Sequence, residues 1–380
     1  MRGPPDLLAW RDEFPAVSEH VFFGTHTLAP LSHRVRRAIE GFLDVWQSKA
    51  SAERVWGEHI LPEMRRLESL YARVIGADAD EVALTPSVST GLSSLASCVD
   101  FADRTEVVLS RREFPTDCHV WLAQAPRGAR ARWVEGTSED AFIEALGPNT
   151  AVVNASHVSF LDGSMLNPAP LAKACRDAGA WFVLDSYHGA GVVPLDVHEV
   201  GCEALVGGPL KYLLGGPGVA FVYVRRDLAP SLRPTVTGWF SQRDFLAFDN
   251  SKIDWPDHAG RLALGTPSPT AVFAAAAGLD IILEIGVQRI RERTLELTGY
   301  AIERALDAGY RVRTPPDRER RGALVVIEVA DSKAVLDRLL DAGVILDERL
   351  GALRVCPHFY SSEDDLDALF DALRSVGARP

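Results

Sequence analysis

The sequence predicts an α/β fold: a three-layer sandwich with a mainly parallel sheet between layers of helices, plus a smaller C-terminal α/β lobe. Short apolar runs rich in β-branched residues alternate with segments of helical spacing from about residue 81 onward. Strands separated by helices need right-handed crossovers, which make the strands parallel. A chain of 380 residues can also form more than one hydrophobic core. We expect a large domain over residues 35–255 and a small domain formed by residues 1–34 and 256–380.

The first elements are helical. Residues 34–47 and 63–75 have the spacing of helices, and the apolar residues of the second form one stripe, which indicates a packed face. Gly76 supplies a stop signal after it. Residues 81–85 then predict a short strand, residues 86–91 a turn, and residues 92–99 an apolar helix.

The alternation continues through the middle of the chain. The predicted elements are strands at 106–110, 151–155, 181–185, 204–206 and 219–224, with a helix at 168–178. A long helical stretch starts at Pro269. In the C-terminal lobe we expect strands at 323–329 and 353–355 and helices at 332–342 and 363–373.

Composition and charge argue against several classes of function. A net charge of −12, with no basic run to reverse it locally, argues against nucleic acid or an anionic membrane as a partner. The five cysteines are scattered without CxxC spacing, which is typical of a reduced cytoplasmic protein. The N-terminus lacks the apolar core of a signal peptide, and the most apolar stretch, at 271–285, contains Asp280 and Glu284. We expect a cytoplasmic protein without a metal site.

One lysine lies between two glycine-rich turns. Lys211 is centred in the stretch 207–218 and is followed by the apolar run at 219–224. Glycines let the backbone approach a ligand closely, and a partly desolvated lysine there would have a lowered pKa and could form a Schiff base with an aldehyde. On this stretch alone a surface lysine in a turn fits equally well. A P-loop does not, because GxxxxGK[ST] is absent.

A second motif upstream separates these interpretations. The predicted strand at 181–185 ends in Asp185, and His188 and a glycine turn follow. Open α/β sheets bind ligands at the carboxyl ends of their strands. Pyridoxal 5'-phosphate (PLP) needs a carboxylate against its ring nitrogen and a lysine on its aldehyde carbon. Asp185 and Lys211 fit these two roles, so we predict that the large domain binds PLP.

The strand–turn–helix segment at 81–99 adds a place for a phosphate. Its turn, Pro86 to Gly91, carries hydroxyls and aims backbone N–H groups at whatever lies over the helix N-terminus. An ordinary Ser/Thr helix cap would have the same sequence. Together with Lys211 and Asp185, the segment favours a phosphate.

With these motifs the chain resembles the class V aminotransferase family of fold-type I PLP enzymes, and within it kynureninase and its β-lyase relatives. The likeness runs from about Phe22 to the last helix. Phe114-Pro115-Thr116-Asp117 matches the kynureninase pattern residue for residue, and Ser156 to Gly163 resembles another segment of the family. Gly343 to Arg349 and Leu353 to Tyr360 resemble its "DxR" and "RVxPxxY" segments.

The resemblance implies roles at the cofactor. Phe114 would stack on the pyridine ring, and Asp117 belongs to the same motif. Val88 and Ser89 would donate to the phosphate, with Ser87 nearby. His188 would touch the cofactor or orient Asp185.

The resemblance also implies a substrate site and a partner. Arg354 would bind the α-carboxylate of an amino acid through a bidentate pair, for which a guanidinium is better suited than an ammonium. His26 lies in a segment that lines the substrate mouth in the family. Trp239 and Thr266 would reach the cofactor phosphate or the substrate of a neighbouring subunit. An obligatory homodimer with composite active sites is therefore expected.

Two features bear on the reaction. Leu210 stands where kynureninases carry a phosphate-binding tyrosine and many relatives a histidine, so one phosphate contact is missing or replaced. Residues 345–352 contain no cysteine, which disfavours a cysteine desulfurase. We predict kynureninase-like hydrolytic Cβ–Cγ cleavage of an α-amino acid or a related β-lyase reaction. A class V aminotransferase, epimerase or C–S lyase is the alternative, and a non-catalytic PLP-binding homologue is another. A nucleotide-binding α/β protein is disfavoured because no Rossmann fingerprint occurs.

Overall fold

The computed structural model describes residues 2–49 and 51–380. Its strands are β1 (Val21–Phe22), β2 (Val82–Thr85), β3 (Glu106–Ser110), β4 (Arg130–Val134), β5 (Thr150–Ser156), β6 (Trp181–Asp185), β7 (Ala204–Gly207), β8 (Ala220–Val224), β9 (Val325–Glu328), β10 (Val344–Ile345), β11 (Asp347–Arg349) and β12 (Ala352–Val355). Its α-helices are α1 (Pro5–Leu8), α2 (Pro15–Glu19), α3 (His33–Lys49), α4 (Ala52–Arg54), α5 (Leu61–Ile75), α6 (Val88–Ser97), α7 (Pro115–Leu122), α8 (Glu139–Glu144), α9 (Pro168–Ala178), α10 (Val197–Val200), α11 (Pro269–Ile285), α12 (Val287–Asp307), α13 (Ser332–Asp341) and α14 (Glu363–Ser375).

The central sheet has seven strands in the order β2-β8-β7-β6-β5-β3-β4. The strands from β7 to β4 are parallel to their neighbours, and β8 is antiparallel to both β7 and β2. The mainly parallel sheet predicted from the sequence is confirmed, with β8 as its one reversed strand.

Both faces of this sheet are buried. Along β6, Phe182 and Leu184 pack in one hydrophobic cluster and Val183 packs in another, because successive side chains of a strand point to opposite faces. Along β8, Phe221 and Val222 divide between the two clusters in the same way. Helices α5 and α11 cover the first face, and α6 packs against β7 and β8 on the second. The result is the expected three-layer sandwich.

The C-terminal lobe contains an antiparallel sheet in the order β11-β12-β9. Helices α12, α13 and α14 pack on it around a hydrophobic cluster of their own. The N-terminal segment joins this lobe, because β1 pairs in parallel with β10. The division into domains of residues 35–255 and of 1–34 with 256–380 stays a prediction.

Two differences from the predicted elements have clear causes. Helix α6 begins at Val88, four residues before the expected start, because Ser87 caps it: the N–H of Thr90 donates to Ser87 Oγ and the N–H of Ser87 donates to Thr90 Oγ1. Strand β4 was not predicted. It is one of the two edge strands of the sheet, and its arginines mask the apolar alternation.

In the described part of the chain, no single helix is long and apolar enough to cross a membrane. Helices α11 and α12 reach that length and composition only as a pair, and the chain bends by 78° between them.

Candidate active site

A cavity of about 350 Å³ opens between the central sheet and the C-terminal lobe. It lies at the carboxyl ends of β5 and β6, at the N-termini of α6 and α7, and beside the lysine turn, where open α/β sheets bind ligands. Its lining residues are His26, Thr27, Ser87, Val88, Ser89, Phe114, Thr116, Ser156, Val158, Phe160, Asp185, Tyr187, His188, Leu210, Lys211, Arg349 and Arg354.

The turn that carries Lys211 is fixed on both sides. The N–H of Leu214 donates to the carbonyl of Lys211 at 3.1 Å, and the carbonyl of Leu210 accepts from Ala29 at 3.1 Å. Helix α11 packs so closely behind the turn that a Cβ at Gly278 would lie 2.5 Å from the carbonyl oxygen of Leu213. Only glycine permits this approach, and it holds the lysine at the cavity wall.

Lys211 is held in an environment that disfavours its charge. Its Nζ lies 2.7 Å from Nε2 of His188. Burial, together with the charges of Arg354 and Arg349, lowers the pKa of Lys211 to about 8 against the opposing effect of Asp185. Burial and the positive charge of Lys211 also hold the pKa of His188 well below its ordinary value. His188 therefore accepts a hydrogen bond from the amine as a neutral imidazole.

Two buried carboxyl groups lie side by side at the site, one at the end of β6 and one on α7. Asp185, the last residue of β6, accepts the N–H of Tyr187 at 2.7 Å. Asp117 does not line the cavity; it is fully buried beside Asp185 and accepts Nδ2 of Asn154 at 3.1 Å. Burial raises the pKa of both groups, and for Asp117 the neighbouring carboxylates of Asp185 and Glu113 raise it well above the ordinary range. Asp117 is therefore the neutral member of the pair, and its hydrogen bond together with the N–H of Tyr187 favours the ionised form of Asp185.

The N-terminus of α6 forms a third wall of the cavity. Ser87 lines the cavity, and its hydroxyl also caps the N-terminus of α6. The N–H groups of Val88 and Ser89 belong to the first helical turn, where no partner within the helix exists. Ser89 Oγ lies 3.1 Å from Thr116 Oγ1 of α7. This arrangement suits an anion.

Aromatic rings form the remaining walls. Phe114 is 39% exposed and packs edge to face against Phe160, with ring centroids 5.3 Å apart. The Nζ of Lys211 lies 4.7 Å from the ring centroid of Tyr187 and 5.8 Å from that of Phe114. A planar ligand attached to the lysine would therefore meet Phe114 on the wall.

From the C-terminal lobe, Arg354 reaches the cavity with its guanidinium already paired. Its Nε donates to Oδ1 of Asp347 at 2.7 Å, and its Nη2 donates to Oδ2. His26 Nε2 also lies 2.8 Å from Oδ1 of Asp347. Burial lowers the pKa of His26 to about 4 although Asp347 opposes the shift, so the imidazole is neutral at pH 7. The bidentate partner of Arg354 is thus a residue of the chain itself.

Two of the predicted site residues lie away from this cavity. Trp239 is 41% exposed and lines a separate surface cavity with Phe245 and Phe248. Thr266 is exposed. Neither residue lines the cavity of its own chain, and a role in a neighbouring subunit stays a prediction.

Comparison with known proteins agrees with this geometry. The family model described as "Aminotransferase class-V" matches residues 21–356. The chain is 31% identical to the "Uncharacterized aminotransferase YcbU" of Bacillus subtilis (strain 168) over 96% of each protein. It is 30% identical to the kynureninase of Pseudomonas fluorescens, over 75% of this chain and 71% of that protein.

The chain belongs to the class V aminotransferase family. Solved structures agree on the fold. A lysine mutant of C-DES with glycine covalently linked to its PLP cofactor has a TM-score of 0.88 and 19% identity, with 96% of this chain and 98% of that one covered. The apo cysteine desulfurase of Thermococcus onnurineus NA1 has a TM-score of 0.86 and 20% identity, with 99% and 98% covered. The predicted family and the fold-type I architecture are confirmed.

The cofactor of this class V protein is pyridoxal 5'-phosphate, and the residues present fit it. The cavity joins a lysine of lowered pKa, a buried carboxylate on the sheet and a helix N-terminus within one volume of about 350 Å³. Among the described residues of the cavity wall, His188 has its Nδ1 buried without a hydrogen-bond partner. An unsatisfied polar atom at such a place indicates a polar ligand that completes it.

Sequence reasoning assigned no role to several residues that lie at the site of this class V chain. Tyr187, Thr27, Thr116, Asp347 and Arg349 each contact or line the cavity or its charged network. Tyr187 stands between Asp185 and His188 and could have been found from that position. Asp347 and Arg349 lie in the DxR segment, but nothing in the sequence showed that Asp347 pairs with Arg354, since the pairing depends on the register of β11 with β12.

Leu210 lines the cavity and has no polar side-chain atom, and the loss or replacement of one phosphate contact there stays a prediction. Glu113 is a further buried carboxyl at the site. It accepts hydrogen bonds from the N–H of Ser156, at 3.2 Å, and from the hydroxyl of Ser156. Burial raises the pKa of Glu113 to about 7.

Proposed function

We propose that the protein is a PLP-dependent enzyme that cleaves a bond at the β-carbon of an α-amino acid, in the manner of kynureninase or a related β-lyase. The observation that carries the proposal is Lys211: its Nζ lies in the cavity, next to His188 and opposite Asp185, with a pKa of about 8. An amine that loses its proton near neutral pH can bond to an aldehyde and can later accept a proton.

Several residues of the cavity have a role in this proposal. Bound PLP supplies an aldehyde for the substrate amine and a ring that absorbs the electron pair of the α-carbon. Lys211 Nζ would hold the cofactor, and as a neutral amine it would accept the α-proton of the substrate. Asp185 would keep a proton on the ring nitrogen, and the Phe114 ring would stack on the ring. The N–H groups of Val88 and Ser89 bind the phosphate.

His188 and Asp117 support these groups. His188 Nε2 accepts a hydrogen bond from the amine of Lys211 and so orients it. Asp117 lies beside Asp185 as a neutral carboxyl, and its hydrogen bond favours the ionised form of Asp185 that a protonated ring nitrogen would need. Arg354 contributes positive charge where the carboxylate of an amino acid would lie.

Hydrolytic cleavage is supported by the identity to a kynureninase, and elimination is the competing outcome. The deciding assay feeds the purified protein kynurenine and then cysteine conjugates. Alanine released from kynurenine supports hydrolytic Cβ–Cγ cleavage, whereas pyruvate released from the conjugates indicates β-elimination. Formation of a keto acid from the intact carbon skeleton would instead indicate transamination.

A prior test addresses the cofactor bond. The preparation should be yellow, borohydride should remove its visible band, and the reduced label should be found on Lys211 by peptide mass. Lys211→Ala is the matched control and should show no such label. A labelled protein that turns over none of these substrates would favour a non-catalytic homologue.

The proposal includes a homodimer with composite sites. It is supported by a surface patch around Trp239, in which Phe248 is 68% exposed and stacks on the tryptophan at 5.8 Å. Apolar surface of this kind is typical of an interface. If Trp239 serves the partner's cavity, mixing Lys211→Ala and Trp239→Ala subunits creates heterodimers with one complete site. Recovered activity supports the composite site; a monomer by light scattering contradicts it.

A further inference from the structure

Tyr187 is an aromatic residue of the cavity to which the proposed function gives no role. It lines the cavity two residues after Asp185, and the Nζ of Lys211 lies 4.7 Å from the centroid of its ring. Burial, together with the charge of Asp185, raises the pKa of Tyr187 to about 12. The phenol therefore keeps its proton at neutral pH and can donate a hydrogen bond.

The backbone holds this tyrosine beside the turn that carries Lys211. The N–H of Tyr187 donates to Oδ1 of Asp185 at 2.7 Å, and the N–H of Ser186 donates to the carbonyl of Val206 at 2.9 Å. Strand β7 ends at Gly207, and the lysine turn follows it directly. The loop after β6 and the turn after β7 are therefore neighbours, which brings Tyr187 against the lysine turn.

Gly208, three residues before the lysine, makes room for the phenol. A Cβ at this position would lie 2.8 Å from Cε2 of Tyr187 and 3.1 Å from both Cζ and the hydroxyl oxygen. Because a residue with a Cβ would push the ring away, this approach of ring to backbone depends on glycine. The hydroxyl of Tyr187 consequently lies where a side chain of the lysine turn would otherwise begin.

The hydroxyl of Tyr187 is an unused donor on the side of the proposed phosphate site. Within residues 2–49 and 51–380 it has no hydrogen-bond partner, although the backbone N–H of the same residue is bonded to Asp185. The ring packs on the hydrophobic cluster that contains Val88, the first residue of α6. It therefore lies on the face of the sheet that α6 covers, where the N–H groups of Val88 and Ser89 bind the phosphate in the proposed function.

We propose that the hydroxyl of Tyr187 donates a hydrogen bond to the phosphate of the bound cofactor, as the contact that Leu210 does not supply. In PLP the ring carbon that carries the phosphate arm is next to the one that carries the aldehyde, so a donor beside Lys211 Nζ is close to both. A phosphate has three acceptor oxygens, so the phenol adds to the N–H groups of Val88 and Ser89 without replacing them. The inference rests on the proposed function, in which the cofactor is attached to Lys211.

The test compares PLP with pyridoxal, which has the same ring and aldehyde but no phosphate. Titration of the PLP-free protein by visible absorbance gives an apparent dissociation constant for each compound. Tyr187→Phe keeps the ring and removes only the hydroxyl, so it should raise the constant of PLP about tenfold and that of pyridoxal less than about twofold.

Tyr223→Phe is the matched control for the loss of a phenol hydroxyl. Tyr223 lies on β8 and does not line the cavity, and its hydroxyl likewise has no hydrogen-bond partner in the described part of the chain. Its removal should change neither dissociation constant by more than about twofold.

A loss of affinity confined to PLP supports the contact with the phosphate, and the phosphorus NMR signal of bound PLP should then also shift in Tyr187→Phe. The inference is overturned if Tyr187→Phe binds PLP as the wild type does. It is also overturned if PLP and pyridoxal lose affinity equally, because the hydroxyl then acts at the ring. Both results leave the attachment to Lys211 intact. A wild type that gains no borohydride-sensitive band with PLP would contradict the proposed function itself, and the inference would fail with it.

Discussion

The Nζ of Lys211 and Nε2 of His188 lie 2.7 Å apart at the wall of a cavity that removes both from bulk water. Two bases so close cannot both carry a proton without strong repulsion, and burial already disfavours the charge on each. The amine of Lys211 is therefore mostly neutral above about pH 8, and the imidazole of His188 beside it serves only as a hydrogen-bond acceptor.

This relationship predicts the pH dependence of cofactor attachment. Only the neutral amine reacts with an aldehyde, so the rate at which the PLP-free protein gains a visible band should rise with pH and level off above about 8, the folded pKa of Lys211. An unperturbed lysine would have its midpoint near 10.5. Stopped-flow absorbance between pH 6 and 10 gives the profile, with Lys211→Ala as the blank. A midpoint above about 10 would show that the lysine is solvated.

The network around Asp347 predicts a large loss of stability in Asp347→Asn. The substitution leaves the nearly buried guanidinium of Arg354 without its carboxylate, and breaking a buried pair costs about 3 kcal/mol. Denaturant unfolding at pH 7 measures it. Asp371→Asn breaks an exposed pair with Arg374, whose side chains are 63% and 74% exposed, and should cost less than about 0.5 kcal/mol. Equal losses in both variants would contradict the prediction.

The depressed pKa of Asp347 also determines how the free energy of unfolding changes with pH. The folded pKa of Asp347 is depressed, so its contribution to the free energy of unfolding is present above the unfolded value of about 4 and is lost as the pH falls. The difference between wild type and Asp347→Asn should shrink by about 1.4 kcal/mol per pH unit below about 4. A constant difference would mean that Asp347 is not held as a carboxylate in the folded protein.

The fold was predictable where a local pattern coincided with a buried position. The β6 strand and its terminal Asp185 follow from one apolar run, and Lys211 follows from the glycines around it. The sequence could not show the Asp347–Arg354 pair, because it depends on how one short hairpin, β11 and β12, pairs across a two-residue turn. Edge strand β4 was missed for a similar reason: sheet pairing, not its own pattern, makes it a strand.

The apolar side chain of Leu210 predicts that a polar substitution at this position will tighten the binding of PLP. It lines the cavity with Val88 and Ser89 but has no polar side-chain atom to offer a phosphate. Leu210→Tyr adds a hydroxyl there and should lower the dissociation constant of PLP about fivefold, which corresponds to about 1 kcal/mol for one hydrogen bond. Titration of the PLP-free protein by visible absorbance measures it. Leu210→Phe, which adds the ring without the hydroxyl, is the matched control. Equal affinities of the two variants would mean that the side chain does not reach the phosphate.

The two-residue turn between β11 and β12, Leu350 and Gly351, predicts a stabilised variant. Leu350 has a φ of 54° and is 70% exposed, so it adopts a left-handed conformation unfavourable for a leucine and contributes little burial in return. Asparagine tolerates this conformation and, before Gly351, forms the sequence that such two-residue turns prefer. Leu350→Asn should therefore raise the free energy of unfolding by about 1 kcal/mol. Leu350→Ala keeps the Cβ and removes the same apolar surface, so it should give no such gain. Denaturant midpoints at unchanged slope compare the three proteins, and equal midpoints for the asparagine and alanine variants would show that the backbone at Leu350 is not the source of the strain.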